Sequence, residues 1–110
     1  MSKFPTTTLA ASGRLPVLLV VSLRVKHGFE VLVSDELSQL VHKSRLETGC
    51  LLFDVYRLAD NPARLFLHEV WETRDALEAH ASNLHTSRFR TAVNSYLERP
   101  IERFEVQEVE

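Results

Sequence analysis

Two strand-like segments stand side by side in the middle of this chain, and they constrain its fold more than any other feature. The segments CLLFDVYRL (residues 50–58) and RLFLHEVW (residues 64–71) are rich in β-branched and aromatic residues, and only the turn-like ADNPA separates them. A connection this short joins antiparallel neighbours, because a parallel pair needs a long crossover. The centre of the chain therefore predicts a β-hairpin.

A helix-like segment lies on each side of this hairpin, and a strand-like segment lies beyond each helix. Residues 29–47 have apolar side chains at helical spacing. Thr73 is placed to cap the second helix, which is predicted to break near Asn83 and then restart. Residues 16–25 and 101–109 are predicted to form the first and the last strand of the chain. The order β-α-β-β-α-β predicts an α+β, ferredoxin-like fold with one antiparallel sheet and both helices on one face.

The other face of the predicted sheet is too apolar to remain in contact with water. Period-two alternation places six residues there: Leu18, Val20, Leu52, Tyr56, Phe66 and Val70. A second copy of the chain is the simplest cover, with the two sheets packed face to face. We therefore expect a homodimer in which two subunits form a dimeric α/β barrel and bury on the order of 2,000 Å².

Composition limits the other possibilities. With 110 residues, 45% apolar and 25% charged, the chain can form one core without disulfide or metal support, and its net charge of −2 predicts no nucleic-acid partner. The run LPVLLVVSL is too short to cross a bilayer, so we expect no membrane association. Cys50 is the only cysteine, which favours a reducing, cytoplasmic setting. Residues 1–15 are expected to be a flexible arm and residues 16–110 the domain.

The same alternation assigns a carboxylate to the helix-side face of the sheet. On three strands this face takes Val17, Leu19, Val21, Leu23, Val25, Leu51, Phe53, Val55, Leu65, Leu67, Glu69 and Trp71. Glu69 must then be paired, hydrogen-bonded or protonated. Since His80 and His85 lie on helix faces that point towards it, a histidine–carboxylate pair that orients a general base is predicted. The alternative is a core histidine with a structural carboxylate.

Motifs for metal or nucleotide binding are missing from the sequence. His80 and His85 are five residues apart, a poor spacing for two ligands on one helical face, and there is no H-E-x-x-H or cysteine pair. No Gly-rich phosphate loop and no nucleophile elbow occur. We therefore expect no metal and no other cofactor.

Four segments in order resemble the antibiotic biosynthesis monooxygenase family of small dimeric α+β barrels: RVKHGFE, SRLETGCLLFDVYR, FLHEVWETRDALEAHASNLHTSRF and RPIERFEVQE. The family's Glu-x-Trp pattern falls on Glu69 and Trp71, its second-helix histidine on His80, and its Ser-Arg-x-Glu-x-Gly-Cys run on residues 44–50. The resemblance implies a ferredoxin-like fold, a homodimer and a pocket between helices and sheet in each subunit. It also implies cofactor-independent oxygen chemistry on quinol-like or polyketide-like aromatics.

Three positions depart from known branches of that family. Val21 stands where haem-degrading relatives have a first-strand asparagine, and Phe89 falls near their haem-ligating histidine, so the resemblance disfavours haem degradation. Leu67 stands where anthrone-oxidising members place an asparagine, which argues against their mechanism. Some relatives are isomerases, and a shared fold does not determine the reaction.

The family resemblance and the predicted histidine–carboxylate pair together predict a cofactor-independent monooxygenase that oxidises a small quinol-like or polyketide-like aromatic with O2. His80 is the predicted base, Glu69 its orienting partner and His85 a donor to the substrate oxygen. The predicted substrate contacts are Trp71, Phe53, Phe89, Ser44 and Val21. The alternatives are a non-catalytic protein that binds a small aromatic or acts in a stress response, and an isomerase that uses the same histidine–carboxylate pair.

Overall fold

A computed structural model describes residues 15–110. The elements follow the order β1 (Val17–Arg24), α1 (Glu30–Arg45), β2 (Cys50–Leu58), β3 (Asn61–Trp71), α2 (Arg74–Ser82), α3 (Leu84–Val93) and β4 (Glu102–Val106), with a 3-10 turn at Asn94–Tyr96. The strands form one antiparallel sheet in the order β2-β3-β1-β4. The predicted ferredoxin-like α+β fold is confirmed. Apart from Leu15, the predicted N-terminal arm (residues 1–15) lies outside the described residues.

The strand β1 lies between β3 and β4 and follows the predicted alternation. Val17, Leu19, Val21 and Leu23 are each at most 5% exposed and belong to the main core cluster. Their even-numbered neighbour Val20 is only partly buried and points to the opposite face. Burial of the odd-numbered side chains against the helices therefore sets the orientation of the whole sheet.

No helix within residues 15–110 combines the length and the apolar character needed to cross a membrane.

The assignment of Leu51 to the helix-side face is wrong. Cys50 pairs with Trp71 and Leu52 pairs with Val70, so β2 has one extra residue between two consecutive pairs. This β-bulge leaves Leu51 42% exposed, and Cys50 packs against the core in its place. The sequence could not show the bulge, because Leu51 and Leu52 suit either face equally well.

The hairpin turn is tighter than the sequence suggested. The strand β3 begins at Asn61 rather than at residue 64, so only Ala59 and Asp60 connect it to β2. Pro62 therefore lies inside a strand. Because β1 pairs with β3 only as far as Arg64, the missing N–H of Pro62 removes no hydrogen bond to β1.

The predicted break in the second helix is centred on Asn83, which separates α2 from α3. Its extended backbone (φ −67°, ψ 147°) ends α2, and its Oδ1 accepts a hydrogen bond from the backbone N–H of His85 at 3.3 Å. Thr73 caps α2 as predicted, because its Oγ1 accepts a hydrogen bond from the N–H of Ala76 at 3.1 Å. On one continuous helix His80 and His85 would point about 140° apart, so the break decides their relative orientation.

The connection between α1 and β2 is pressed against the start of α2. Gly49 adopts a φ of +82°, and a Cβ at this position would lie 2.6 Å from the Cβ of Ala76. The Gly49 carbonyl also accepts a hydrogen bond from the N–H of Glu72 at 2.7 Å. This hydrogen bond and the close approach of Gly49 to Ala76 hold the segment that contains Glu47 close to α2.

The sheet face opposite the helices has several exposed apolar side chains. Tyr56 is 51% exposed, Phe104 50% and Val106 39%. The other predicted residues of this face are partly buried, except that Val70 is fully buried: Leu18, Val20, Leu52, Phe66. An apolar surface of this kind is typical of a face that packs against another protein surface. Dimerisation itself stays a prediction.

Candidate active site between helices and sheet

A carboxylate from the α1–β2 connection lies between two imidazoles. Glu47 Oε2 is 2.7 Å from His80 Nδ1 and 2.8 Å from His85 Nε2. The side chains of His80, Glu47 and His85 are 5%, 11% and 16% exposed. Because an ionised carboxylate can only accept hydrogen bonds, both ring nitrogens donate to it. These short, charge-assisted bonds orient both rings.

The bond to Glu47 also sets the tautomer of His80. With the proton on Nδ1, the neutral ring has its lone pair on Nε2. The hydroxyl of Thr86 lies 3.4 Å from Nδ1. Nε2, which makes no hydrogen bond within the described chain, faces the carboxylate of Glu69 at 3.9 Å. Nε2 is therefore the basic atom of the group.

Glu69 is not the hydrogen-bond partner of His80 that the sequence predicted. Their separation of 3.9 Å exceeds a hydrogen bond, and Glu69 Oε1 accepts instead from Trp71 Nε1 at 2.9 Å. Side chains two residues apart on a strand share a face, so the indole reaches this carboxylate locally. The orienting partner is Glu47, and that part of the prediction is wrong. Glu69 is nevertheless buried, at 5% exposure, beside the basic nitrogen.

Two aromatic rings pack around the imidazole of His80. The ring centroid of Trp71 lies 4.5 Å from that of His80, and the centroid of Phe53 lies 5.5 Å from it. Both aromatic side chains are almost fully buried, at 0% and 1% exposure, and neither lines the cavity that opens next to His80. Ser44 is also fully buried, and its Oγ has no hydrogen-bond partner among the described residues. The structure thus places these three predicted substrate contacts in the core rather than on the cavity surface.

A cavity of about 270 Å³ opens next to His80 and Glu69. Its walls are largely apolar and include the predicted residues Val21 and Phe89, together with Leu67. The remaining lining residues are Leu40, Ala81, Thr86, Arg90, Asn94, Pro100, Ile101 and Arg103. Since His80 and Glu69 are buried whereas Arg90, Asn94 and Arg103 are exposed, the first two residues lie at the inner end and the other three lie at the mouth.

His85 lines a different cavity, of about 280 Å³, between α1 and α3. Lys43 and Arg88 also line this second cavity, whereas Leu40 and Phe89 contribute to both cavities and so form part of the wall between them. His85 is therefore connected to the first cavity through its hydrogen bond to Glu47, which in turn binds His80. Direct donation from His85 to a substrate stays a prediction that this arrangement does not favour.

The group of Glu47, His80 and His85 has the residue types of a metal site. Their potential ligand atoms all lie within 4.8 Å of one another, and two histidines with one carboxylate occur in zinc and non-haem iron centres. Local sequence motifs could not predict this group, because its three residues come from the α1–β2 connection, α2 and α3 rather than from one helix. Both measured contacts, 2.7 and 2.8 Å, have the length of charge-assisted hydrogen bonds. A bound cation would have to replace the two bridging protons.

Glu47 is the residue of the candidate site that sequence reasoning overlooked. It lies 33 residues before His80 and 38 residues before His85, so no local spacing connects them. The available signal was the run SRLETGC, in which Glu47 is followed closely by Gly49, a residue that a close backbone approach requires here.

The thiol of Cys50 is a reporter for the charge of Glu47. Burial first, and then the nearby carboxylates of Glu47 and Glu69, raise the pKa of this thiol from 9.0 to about 11. Because only the thiolate reacts, alkylation by iodoacetamide near pH 8 should be roughly 100-fold slower than in the urea-unfolded chain, and its rate should rise with pH up to about 11. Glu47→Gln should lower this pKa and speed the reaction. An unchanged rate, or equal acceleration in the control Glu36→Gln, would contradict this electrostatic coupling.

Sequence comparison matches residues 16–92 to the family described as "Antibiotic biosynthesis monooxygenase". The uncharacterized protein YjcS of Bacillus subtilis is 30% identical over 54 residues, which cover 49% of this chain and 51% of YjcS. Rv0793 of Mycobacterium tuberculosis, whose name proposes monooxygenase activity, is 34% identical over 65 residues, which cover 59% of this chain and 63% of Rv0793. The matched segment thus spans between half and two thirds of these curated relatives.

Structural comparison covers more of the chain. The structure of Rv0793 superimposes with a TM-score of 0.81 at 25% identity, covering 87% of this chain and 97% of Rv0793. The crystal structure of PA3566 from Pseudomonas aeruginosa gives a TM-score of 0.80 at 25% identity, covering 86% of this chain and 95% of PA3566. The same fold is therefore present over nearly the whole of both proteins.

Proposed function

Because the chain belongs to the antibiotic biosynthesis monooxygenase family, we propose that it is a cofactor-independent monooxygenase that oxidises a small quinol-like aromatic with O2. The observation that supports this most is the orientation of His80, whose Nδ1 is held by Glu47 at 2.7 Å while Nε2 remains available as a base at an apolar cavity. A substrate that can itself reduce O2 once deprotonated needs a base and a water-poor cavity rather than a redox cofactor.

The reaction begins when Nε2 of His80 accepts the proton of a substrate hydroxyl. The imidazolium that forms is stabilised by Glu47, hydrogen-bonded to Nδ1, and by Glu69, 3.9 Å from Nε2. The quinolate then supplies the electrons that reduce O2. One oxygen atom replaces a ring hydrogen and the other leaves as water, so that quinol and O2 give hydroxyquinone and water with atoms and electrons balanced.

The surrounding residues act as positioning groups in this proposal. Trp71 donates its indole N–H to Glu69 at 2.9 Å and packs on the imidazole of His80, which keeps the base and the carboxylate at their separation. Phe53 packs on the same imidazole. Val21 and Phe89 line the cavity and exclude water around the anion, where each electrostatic contact is stronger.

Oxygen uptake with a panel of one- and two-ring quinols tests the proposal. We expect substrate-dependent O2 consumption that persists after dialysis against EDTA, because no proposed step needs a metal. Added Zn²⁺ should inhibit O2 consumption, because a Zn²⁺ ion bound to Glu47, His80 and His85 would replace the hydrogen bond that orients His80. Mass spectrometry with ¹⁸O2 should find one labelled oxygen atom in the product.

Three other outcomes would contradict the proposal. Saturable binding of quinols without O2 consumption indicates a non-catalytic binding protein. An isomerised product formed without O2 indicates an isomerase that uses the same base. Loss of turnover on chelation, with recovery on adding Fe²⁺, indicates that Glu47, His80 and His85 hold a catalytic metal.

We also propose a homodimer formed through the sheet face opposite the helices. The partly exposed side chains of this face include Val20, Phe66 and Phe104, which occupy the middle of three neighbouring strands.

A single cysteine with a raised thiol pKa, Cys50, is consistent with a cytoplasmic protein that needs no disulfide.

A further inference from the structure

The mouth of the first cavity contains a guanidinium that is not paired with any residue in the range 15–110. Arg103 pairs across the sheet with Val21, which in turn pairs with Leu67, so all three lie in one row on the helix side of the sheet. The acidic residue on the same side of β4 is Glu105, and its carboxylate is bound by Arg74 at 2.7 Å. The side chain of Arg103 makes no hydrogen bond or ion pair within the described part of the chain, so its charge is available to a ligand.

A second guanidinium lies at the same mouth. Arg90 Nη2 donates to the backbone carbonyl of Ala81 at 2.9 Å, which uses one of its five N–H groups and holds the side chain at the end of α2. Arg90 and Arg103 both line the cavity, and both are exposed. The mouth is therefore positive, whereas the inner end contains the carboxylate of Glu69.

The chemical groups of the cavity differ from one end to the other. His80 and Glu69 lie at the inner end, the apolar side chains of Val21 and Phe89 line the middle, and the two guanidiniums lie at the mouth. A cavity of roughly 150 Å³ holds one benzene ring, so about 270 Å³ accommodates one or two rings.

We propose that the substrate is a one- or two-ring hydroxyaromatic acid whose carboxylate binds Arg103 and Arg90 while its hydroxyl faces His80. The assignment rests on the proposed function for the role of the hydroxyl, but the anion site is independent of the reaction. Guanidinium and carboxylate match in planar, bidentate geometry, which a neutral group of the same shape cannot reproduce. Arg103 lies on the side of β4 opposite Phe104, so a dimer formed through the other sheet face leaves it accessible.

Calorimetric binding to the full chain near neutral pH tests the anion site, with 6-hydroxy-2-naphthoate and its neutral carboxamide as a matched pair of probes. We expect the acid to bind at least about tenfold more tightly than the amide, and Arg103→Gln to remove most of this preference with little effect on the amide. Arg103→Lys should retain part of it. The control Arg99→Gln removes the same charge from an exposed residue that does not line the cavity, and should leave the preference intact.

Equal affinity for acid and amide would overturn the proposal, as would failure of the acid to bind up to about 1 mM. Equal losses in the Arg103 and Arg99 variants would overturn it too, since they would indicate only a general charge effect. The outcome is separable from the proposed reaction. If the acid binds in a way that depends on Arg103 but no O2 is consumed, the anion site is supported and the monooxygenase proposal is contradicted. If neutral quinols are oxidised and the acid is not preferred, the monooxygenase proposal is supported and the anion site is contradicted.

Discussion

Replacing His80 with alanine is expected to reduce kcat/KM for O2 consumption by roughly 10²–10⁴-fold, the usual contribution of general acid–base catalysis. The loss follows from removing Nε2, the basic atom at the inner end of the cavity. Oxygen uptake and the melting temperature should be measured on the same preparations. The matched control is His42→Ala, which alters an exposed histidine of α1.

Two carboxylate variants show which acid orients the base. Glu47→Gln should slow turnover more than Glu69→Gln, because only Glu47 is hydrogen-bonded to His80. Combining Glu47→Gln with His80→Ala should be little slower than His80→Ala alone, because residues that act as one unit are not additive. If His80→Ala turned over normally but lost about 1–3 kcal/mol of stability, the group would be a structural part of the core.

Introducing a charge on the sheet face opposite the helices is expected to abolish the soluble dimer. Val20 pairs with His68 on one side and with Phe104 on the other, so Val20→Asp places a carboxylate in the middle of this face. By two-fold symmetry each dimer would bury two such carboxylates, which is costly without partners. Phe66→Asp should act in the same way. Size-exclusion chromatography with light scattering at about 10 μM measures the change in mass.

The control for dimerisation is Val31→Asp, which changes a 74% exposed residue of α1 on the helix side. This variant should remain dimeric, because the interface proposed here involves only the sheet. A wild-type chain that is folded and monomeric at micromolar concentration would contradict the homodimer, since an interface of the expected size, on the order of 2,000 Å², is stable under these conditions.

Local patterns were sufficient for most of the fold. Alternation in β1 identified its buried side, Thr73 marked the start of α2, Asn83 marked the break between α2 and α3, and the short connection after β2 predicted the hairpin. Each of these signals acts within a few residues, where backbone hydrogen bonding and solvent exposure decide the structure. The bulge at Leu51 escaped prediction because neighbouring apolar residues do not specify the register.

The sequence by itself identified most residues of the candidate site, namely His80, His85, Glu69, Val21 and Phe89, but not Glu47. Only the tertiary structure decided which carboxylate binds His80. Glu69 meets the indole donor of Trp71 on its own strand, whereas Glu47 arrives from a connection that Gly49 allows to approach α2 closely. The physical reason is that a hydrogen bond of 2.7 Å depends on positions set by packing between distant segments, and residue spacing along the chain contains no measure of that distance.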